Sequence, residues 1–230
     1  MADIKTTDIT YNIDGGQATG YEAKPTGDGP FPGIVVIMEW WGLDPHIKDL
    51  TDRFAREGYH AVAPDIYHGT VIDYDNRDGA MGMARSLDKD LAVREIDGAA
   101  SYIKGQSSSN NKVGVVGYCM GGGLVLATAI ASNNVDAANV YYGGNPDPID
   151  LVEQIQCPVL GLYAGSDETA NPTKVPTLEE ALTRFGKEHE LHVYWDAQHS
   201  FFNDRRPSYH EETAKDAWQR TNDFFCKHLC

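Results

Sequence analysis

Cys119 stands in the segment Gly117-Tyr118-Cys119-Met120-Gly121, which leaves the apolar run 113–116 and enters a Gly-rich, apolar stretch through residue 131. A cysteine flanked two residues away on each side by glycine, after a strand and before a helix, has the form of a nucleophile elbow with sulfur in place of a serine hydroxyl. The turn is so sharp that side chains at the −2 and +2 positions would collide, which accounts for Gly117 and Gly121. Gly122 and Gly123 are expected to let the helix pack close to the strand. The helix N-terminus brings free N–H groups and a positive dipole end beside the sulfur, an environment that favours thiolate. An isolated cysteine is more often a small buried hydrophobe. Here the preceding strand, the following helix and both glycines point to a nucleophile.

A thiol nucleophile needs a base, and the base an orienting acid. Elbows of this kind take them in the chain order nucleophile, acid, histidine. The run 159–164 opens into Gly165-Ser166-Asp167, and the run 191–195 into Asp196-Ala197-Gln198-His199. Asp167, with Glu168 as the competing acid, and His199 form the best pair by position and order. Of the other seven histidines, only His68 rivals His199 by position. Glu39 follows the run 34–38 beside Trp40 and Trp41; from the residues alone it reads as an ordinary loop acid. The oxyanion donors expected from this arrangement are the backbone N–H groups of Met120 and Trp40.

Positioning these groups requires strand ends at one edge of a sheet. Runs at 9–13 and 19–23 predict two opening strands around Gly15-Gly16, and 34–38, 60–63, 113–116, 138–142, 159–164 and 191–195 predict six more. Between them lie helical stripes. One starts at Asp44-Pro45, carries Ile47, Leu50 and Phe54, and stops at Gly58. Others follow Leu91, Ile96, Ala99 and Ile103, then 121–131, then Val175, Leu178, Leu182 and Phe185 before Gly186. Ser208 and Glu211 have the spacing of a capping box ahead of a final helix with Ala214, Trp218 and Phe225. The stretch 105–111 (GQSSSNN) is expected to be a loop. The alternation predicts an α/β fold, a mostly parallel central sheet with helices on both faces, in one domain over 1–230. Ligands of such sheets sit at the carboxyl ends of the strands.

The 230 residues are 41% hydrophobic and 23% charged, which excludes disordered, collagen-like and coiled-coil chains. A net charge of −15 argues against nucleic acid and anionic membranes as partners. No apolar run is long enough to span a bilayer and the first twenty residues lack a secretory apolar segment, so a cytoplasmic location is expected. The four cysteines, at 119, 157, 226 and 230, form neither a disulfide framework nor a CxxC pair, and no metal site is expected. His189 and His192, three apart near a strand, face opposite ways and cannot share a metal.

Together, Glu39-Trp40-Trp41-Gly42, Ala63-Pro64-Asp65-Ile66-Tyr67, Gly117-Tyr118-Cys119-Met120-Gly121-Gly122, Tyr163-Ala164-Gly165-x-Asp167 and His199-Ser200-Phe201 resemble the dienelactone hydrolase (carboxymethylenebutenolidase) family of α/β hydrolases across nearly the whole chain. The resemblance implies an α/β-hydrolase fold and a Cys-His-Asp triad of Cys119, His199 and Asp167. It also implies that Glu39 contacts the resting thiol and activates it when substrate enters. The expected reaction opens a lactone or ester through a cysteinyl thioester with no metal or organic cofactor. The expected partner is a small lactone or ester, and the expected state a monomer or weak homo-oligomer. The family's carboxylate-binding arginine after the histidine matches Asn203 here, with Arg205 and Arg206 close behind; its Arg–Tyr pair matches Arg77 and Met81. Ser200, Phe201, Tyr67 and Trp41 complete the expected substrate contacts. A broader carboxylesterase or another lactonase is the alternative, and a non-catalytic thiol sensor the reading from a different class.

Overall fold

The computed structural model describes residues 2–167 and 172–230. Strands β1 (Ile4–Ile13) and β2 (Gly16–Pro25) form an antiparallel hairpin in full register, from Ile4↔Pro25 to Ile13↔Gly16. Both run several residues beyond the stretches expected from their apolar positions. In β1 the added residues Lys5 to Asp8 are polar and exposed, and ladder hydrogen bonds rather than burial carry the extension. β2 pairs antiparallel with β4 (His60–Pro64). From β4 the sheet is parallel through β3 (Phe31–Ile37), β5 (Ser109–Tyr118), β6 (Ala137–Tyr141), β7 (Val159–Ser166) and β8 (His189–Gln198). The order across the sheet is β1-β2-β4-β3-β5-β6-β7-β8. β4 and β6 are buried along their whole length, as central strands covered on both faces must be, and each includes a buried polar residue, His60 and Asn139.

Among the described residues, six α-helices surround the sheet: α1 (Pro45–Arg56), α2 (Arg77–Ser86), α3 (Lys89–Lys104), α4 (Met120–Ala131), α5 (Val175–Arg184) and α6 (Glu211–Leu229). A Cβ at Gly33 would strike Ile103 of α3, and one at Gly114 would strike Phe225 of α6. Gly33 pairs with Val113, so Gly114, its chain neighbour, points to the opposite face, and α3 and α6 lie on opposite sides. α1 shares the α6 side, where Phe54 packs 4.7 Å from Trp218 and 6.1 Å from Phe225, centroid to centroid.

Local signals behave largely as the residues dictate. Asp44 caps α1 through a 2.9 Å bond from the Ile47 N–H, and Gly58 leaves the helix at φ +102°. Three details differ. α6 is capped by His210, whose side chain accepts from Thr213 N–H, and not by Ser208. The helix begins at Glu211, so Ser208 falls outside it and its hydroxyl donates to the Ser200 carbonyl at 3.5 Å. β5 starts at Ser109, inside the stretch read as a loop, because Ser109 pairs with Phe31. α2 gave no apolar stripe: Ala80 is its one buried residue, and Gly79 and Gly82 lower its helix propensity. Among the described residues, no helix is long and apolar enough to cross a membrane.

Candidate active site

Strand register delivers the candidate groups before any side chain is considered. Ile37 pairs with Gly117, so Glu39 and Cys119, each two residues on, leave the sheet side by side. Tyr118 pairs with Tyr141, bringing Tyr142 next to Cys119. Ser166 pairs with Gln198, so the next residues, Asp167 and His199, emerge together. That last pairing follows a bulge after Ala164, where Gly165 lies against Trp195; a Cβ there would sit 2.4 Å from the Trp195 Cα.

Cys119 adopts φ +57°, ψ −116°, a region that side chains rarely occupy and that marks a sharp strand-to-helix turn. The crowding that enforces glycine is explicit. A Cβ on Gly117 would come within 2.3 Å of the Gly121 carbonyl oxygen, and one on Gly121 within 2.5 Å of the Met38 oxygen. Gly123 is different: a Cβ there would meet only Gly144 atoms at 3.7 Å or more, so it is not needed for close helix–strand packing. Its bare face borders a cavity instead. Met120 is the first residue of α4, whose leading N–H groups have no partner within the helix and point toward the elbow.

His199 Nδ1 lies 2.6 Å from Asp167 Oδ2, and Asp167 is almost wholly buried. The other ring nitrogen, Nε2, is buried and forms no hydrogen bond of normal geometry. Cys119 nevertheless acts on this ring. Burial alone would lower the pKa of His199; Asp167 and the Cys119 sulfur overcome it and raise the value to about 10. The imidazole is thus held between a carboxylate and a sulfur. The Tyr142 ring packs edge-on to it at 5.0 Å.

Glu39 is only 2% exposed, and both its oxygens are occupied: Ser200 Oγ donates at 3.0 Å and Asn203 Nδ2 at 2.6 Å. Ser200 and Asn203 thus fix the carboxylate from the far end of the chain. Asn203 also reaches the Tyr74 hydroxyl at 3.3 Å, and that hydroxyl donates to Asp44 at 2.5 Å. Behind this chain lies His46, 1% exposed, 3.4 Å from Asp204, with its pKa pushed down by burial against the pull of Glu39, Asp44 and Asp204.

A cavity of about 750 Å3 opens from Cys119 and Met120 along α4, walled by α3, the end of α2 and residues 144–147. None of Arg77, Met81, Trp41, Ser200, Phe201, Asn203 or Arg205 lines it. Arg77 and Met81 stand on α2 with exposed side chains. Trp41, Phe201 and Asn203 are buried packing or network residues, and Arg205 is exposed. Arg206 stacks over Trp41 and Tyr74, with its guanidinium 5.1 and 5.3 Å from the two rings. Tyr67 does reach the site: its hydroxyl donates to the Met120 sulfur at 3.4 Å, and burial together with the charge of Cys119 pushes its pKa up to about 12. Trp40 stands between Glu39 and Trp41 in the turn after β3. His68 is paired to Glu95 at 2.7 Å with more than half its side chain in solvent. Glu168, the competing acid, lies outside the described residues.

Sequence reasoning did not find Tyr142, Tyr74 or His46. Tyr142 could have been found from the registered ends of β5 and β6; Tyr74 and His46 carry no local signal, since long-range packing alone joins them to Glu39.

The dienelactone hydrolase family model matches residues 18–229. A protein of Saccharolobus solfataricus named "Putative carboxymethylenebutenolidase" is 34% identical, covering 94% of this chain and 96% of its own. One of the same name from Yersinia pestis is 32% identical, covering 96% and 88%. The crystal structure of a "Putative Dienelactone Hydrolase" from Klebsiella pneumoniae superposes with a TM-score of 0.91 at 30% identity, covering 98% of this chain and 100% of that one. Sequence, fold and the elbow at Cys119 agree: this chain belongs to the dienelactone hydrolase family of α/β hydrolases and is a carboxylic ester hydrolase.

Proposed function

We propose that the protein hydrolyses a lactone or other carboxylic ester through a thioester on Cys119, with His199 as base and acid and Asp167 as its orienting carboxylate. The observation that carries this reading is the 2.6 Å His199–Asp167 contact, which uses Nδ1 and leaves Nε2 buried at the strand ends where Cys119 also emerges. In the first half-reaction the thiolate attacks the ester carbonyl, and the oxyanion is received by the N–H groups of Met120 and Trp40. Collapse breaks the C–O bond, and the imidazolium gives its proton to the departing oxygen. In the second half, His199 takes a proton from water as hydroxide adds to the thioester, and the thiolate leaves with the carboxylic acid formed. Tyr67, against Met120, packs the wall beside the sulfur.

Glu39 supports this chemistry as a carboxylate level with the sulfur. In the arrangement described, Ser200 and Asn203 hold it. Asn203 has a second consequence. It stands where a carboxylate-binding arginine is expected, and it is a neutral amide committed to Glu39. No guanidinium therefore faces the sulfur from that position, which favours a broader carboxylesterase over an enzyme confined to dienelactones.

The test is turnover of dienelactone and short p-nitrophenyl esters by wild-type protein and Cys119→Ala, with intact-mass analysis of wild type quenched in acid during turnover. Loss of hydrolysis in the variant and a mass increment equal to the acyl group on Cys119 are expected. Hydrolysis by Cys119→Ala at the wild-type rate would overturn the reading.

A further inference from the structure

The cavity beside Cys119 is far larger than a small lactone fills, and it extends along one helix as an elongated channel-like groove. Met120, Gly123, Leu124, Ala127, Ile130 and Ala131 all line it. Their spacing of three and four residues traces one face of α4 from its first residue to its last. Eleven rises along that helix span about 16 Å. The opposing wall is also apolar, built from Leu87 of the α2–α3 connection, Val93 of α3 and Leu151. Gly123, which packing does not require, keeps the channel open immediately beyond the sulfur. At the rim stand two cations, Lys89 and Arg94, and two acids, Asp90 and Asp147; none of the four makes an ion pair among the described residues, and their charges sum to zero.

We infer that this channel binds the acyl chain of the substrate, so that the preferred esters are those of straight, uncharged, medium- to long-chain carboxylic acids. The inference rests on Cys119 being the nucleophile. Which part of the ester enters follows from His199. It protonates the departing oxygen, so the alcohol lies on its side of the sulfur. His199 does not line the channel, and the chain that enters it is the acyl portion. An extended chain of about a dozen carbons, with bonds of about 1.5 Å, matches the helix face it would lie on.

The test uses the intact protein and p-nitrophenyl esters from acetyl to dodecanoyl, below their solubility limits. A second series keeps acetate constant and lengthens an alkyl alcohol. kcat/KM is expected to rise two- to fourfold per methylene in the acyl series over the middle chain lengths, and to stay flat in the alcohol series. Ala127→Phe, placed halfway along the channel, should lower the decanoyl-to-acetyl ratio at least tenfold; circular dichroism reports whether it folds. Gly123→Ala, nearer the sulfur, gives a second blocking variant if it does not. A flat acyl series with active wild type overturns the channel assignment while leaving the nucleophile intact. A rise in the alcohol series alone overturns the acyl assignment. Elution as a dimer in size exclusion, with a flat acyl series, would make the groove a contact between copies and also overturn the inference. Absence of any hydrolysis, or undiminished hydrolysis by Cys119→Ala, instead removes the reading on which the inference rests.

Discussion

Among the described residues, two histidine–carboxylate pairs with buried carboxylates have nearly equal geometry. His199 meets Asp167 at 2.6 Å past the ends of β8 and β7. His60 meets Glu22 at 2.8 Å where β4 crosses β2. Both carboxylates are almost inaccessible, and both rings keep a buried nitrogen without a hydrogen bond, Nε2 in the first and Nδ1 in the second. What differs is the third group. The His199 ring faces a sulfur on a strained turn; Glu22 is joined by the Tyr102 hydroxyl at 3.0 Å and by Lys24 at 3.7 Å. Distance and burial alone therefore do not distinguish the two pairs. One opens onto the Cys119 sulfur beside a cavity, and the other ties two strands and a helix together.

The largest effect belongs to the first pair. His199→Ala is expected to lower kcat/KM at least 10³-fold, and Asp167→Asn by roughly 10²- to 10⁴-fold, with unfolding midpoints close to wild type; esterase kinetics and denaturant curves check both. A variant with wild-type kcat would place the base elsewhere.

Glu22→Gln should do the reverse. Burial raises the carboxyl pKa, but His60, Lys24 and Tyr102 hold it below its usual value of 4.5. Breaking such a pair is expected to cost about 3 kcal/mol of stability, read by urea denaturation, with kcat unchanged. Because the folded pKa is depressed, the contribution of Glu22 is full above about pH 4.5 and lost as the pH falls through the lower folded value. Equal pH dependence in wild type and Glu22→Gln below that pH would contradict it.

The pH behaviour of His199 has the opposite sign. Its folded pKa of about 10 exceeds the ordinary 6.5, so its stabilisation is full below about pH 6.5 and lost as the pH rises toward 10. Its NMR signals should not titrate between pH 6 and 8 in wild type, and the midpoint should fall in Cys119→Ala and in Asp167→Asn, each of which removes a group that raises it. A wild-type midpoint near 6.5 would break the contrast.

The smallest effect is expected at a third pair, His68 with Glu95, where the imidazole side chain is 57% exposed. His68→Ala should change stability by less than about 1 kcal/mol and leave turnover as it is.

Much of the candidate site was legible because its parts are local. The elbow glycines, the acid after β7 and the histidine after β8 each carry a signal within a few residues, and strand order does the rest. Glu39 was visible only as a loop acid. Its partners Ser200 and Asn203 come from the far end of the chain, and no spacing rule links residues 39 and 203. The groove wall was hidden for a related reason. Arg77 and Met81 were matched by position to a ligand-binding pair, yet they sit on a helix whose surface side chains turn outward. The capping signal at Ser208 misled because the same serine serves the loop before the helix.

α2 is anchored through one buried alanine, while Cys119, Asp167 and His199 each follow a strand paired into the sheet. Its end nonetheless forms part of the wall around the cavity at the sulfur. Part of the cavity wall is thus written on a stretch of polypeptide remote from the elbow, while α4 supplies the face that follows the sulfur directly. Drift in the outer helix can change which molecules are admitted at little cost to folding, and the reacting centre need not register the change.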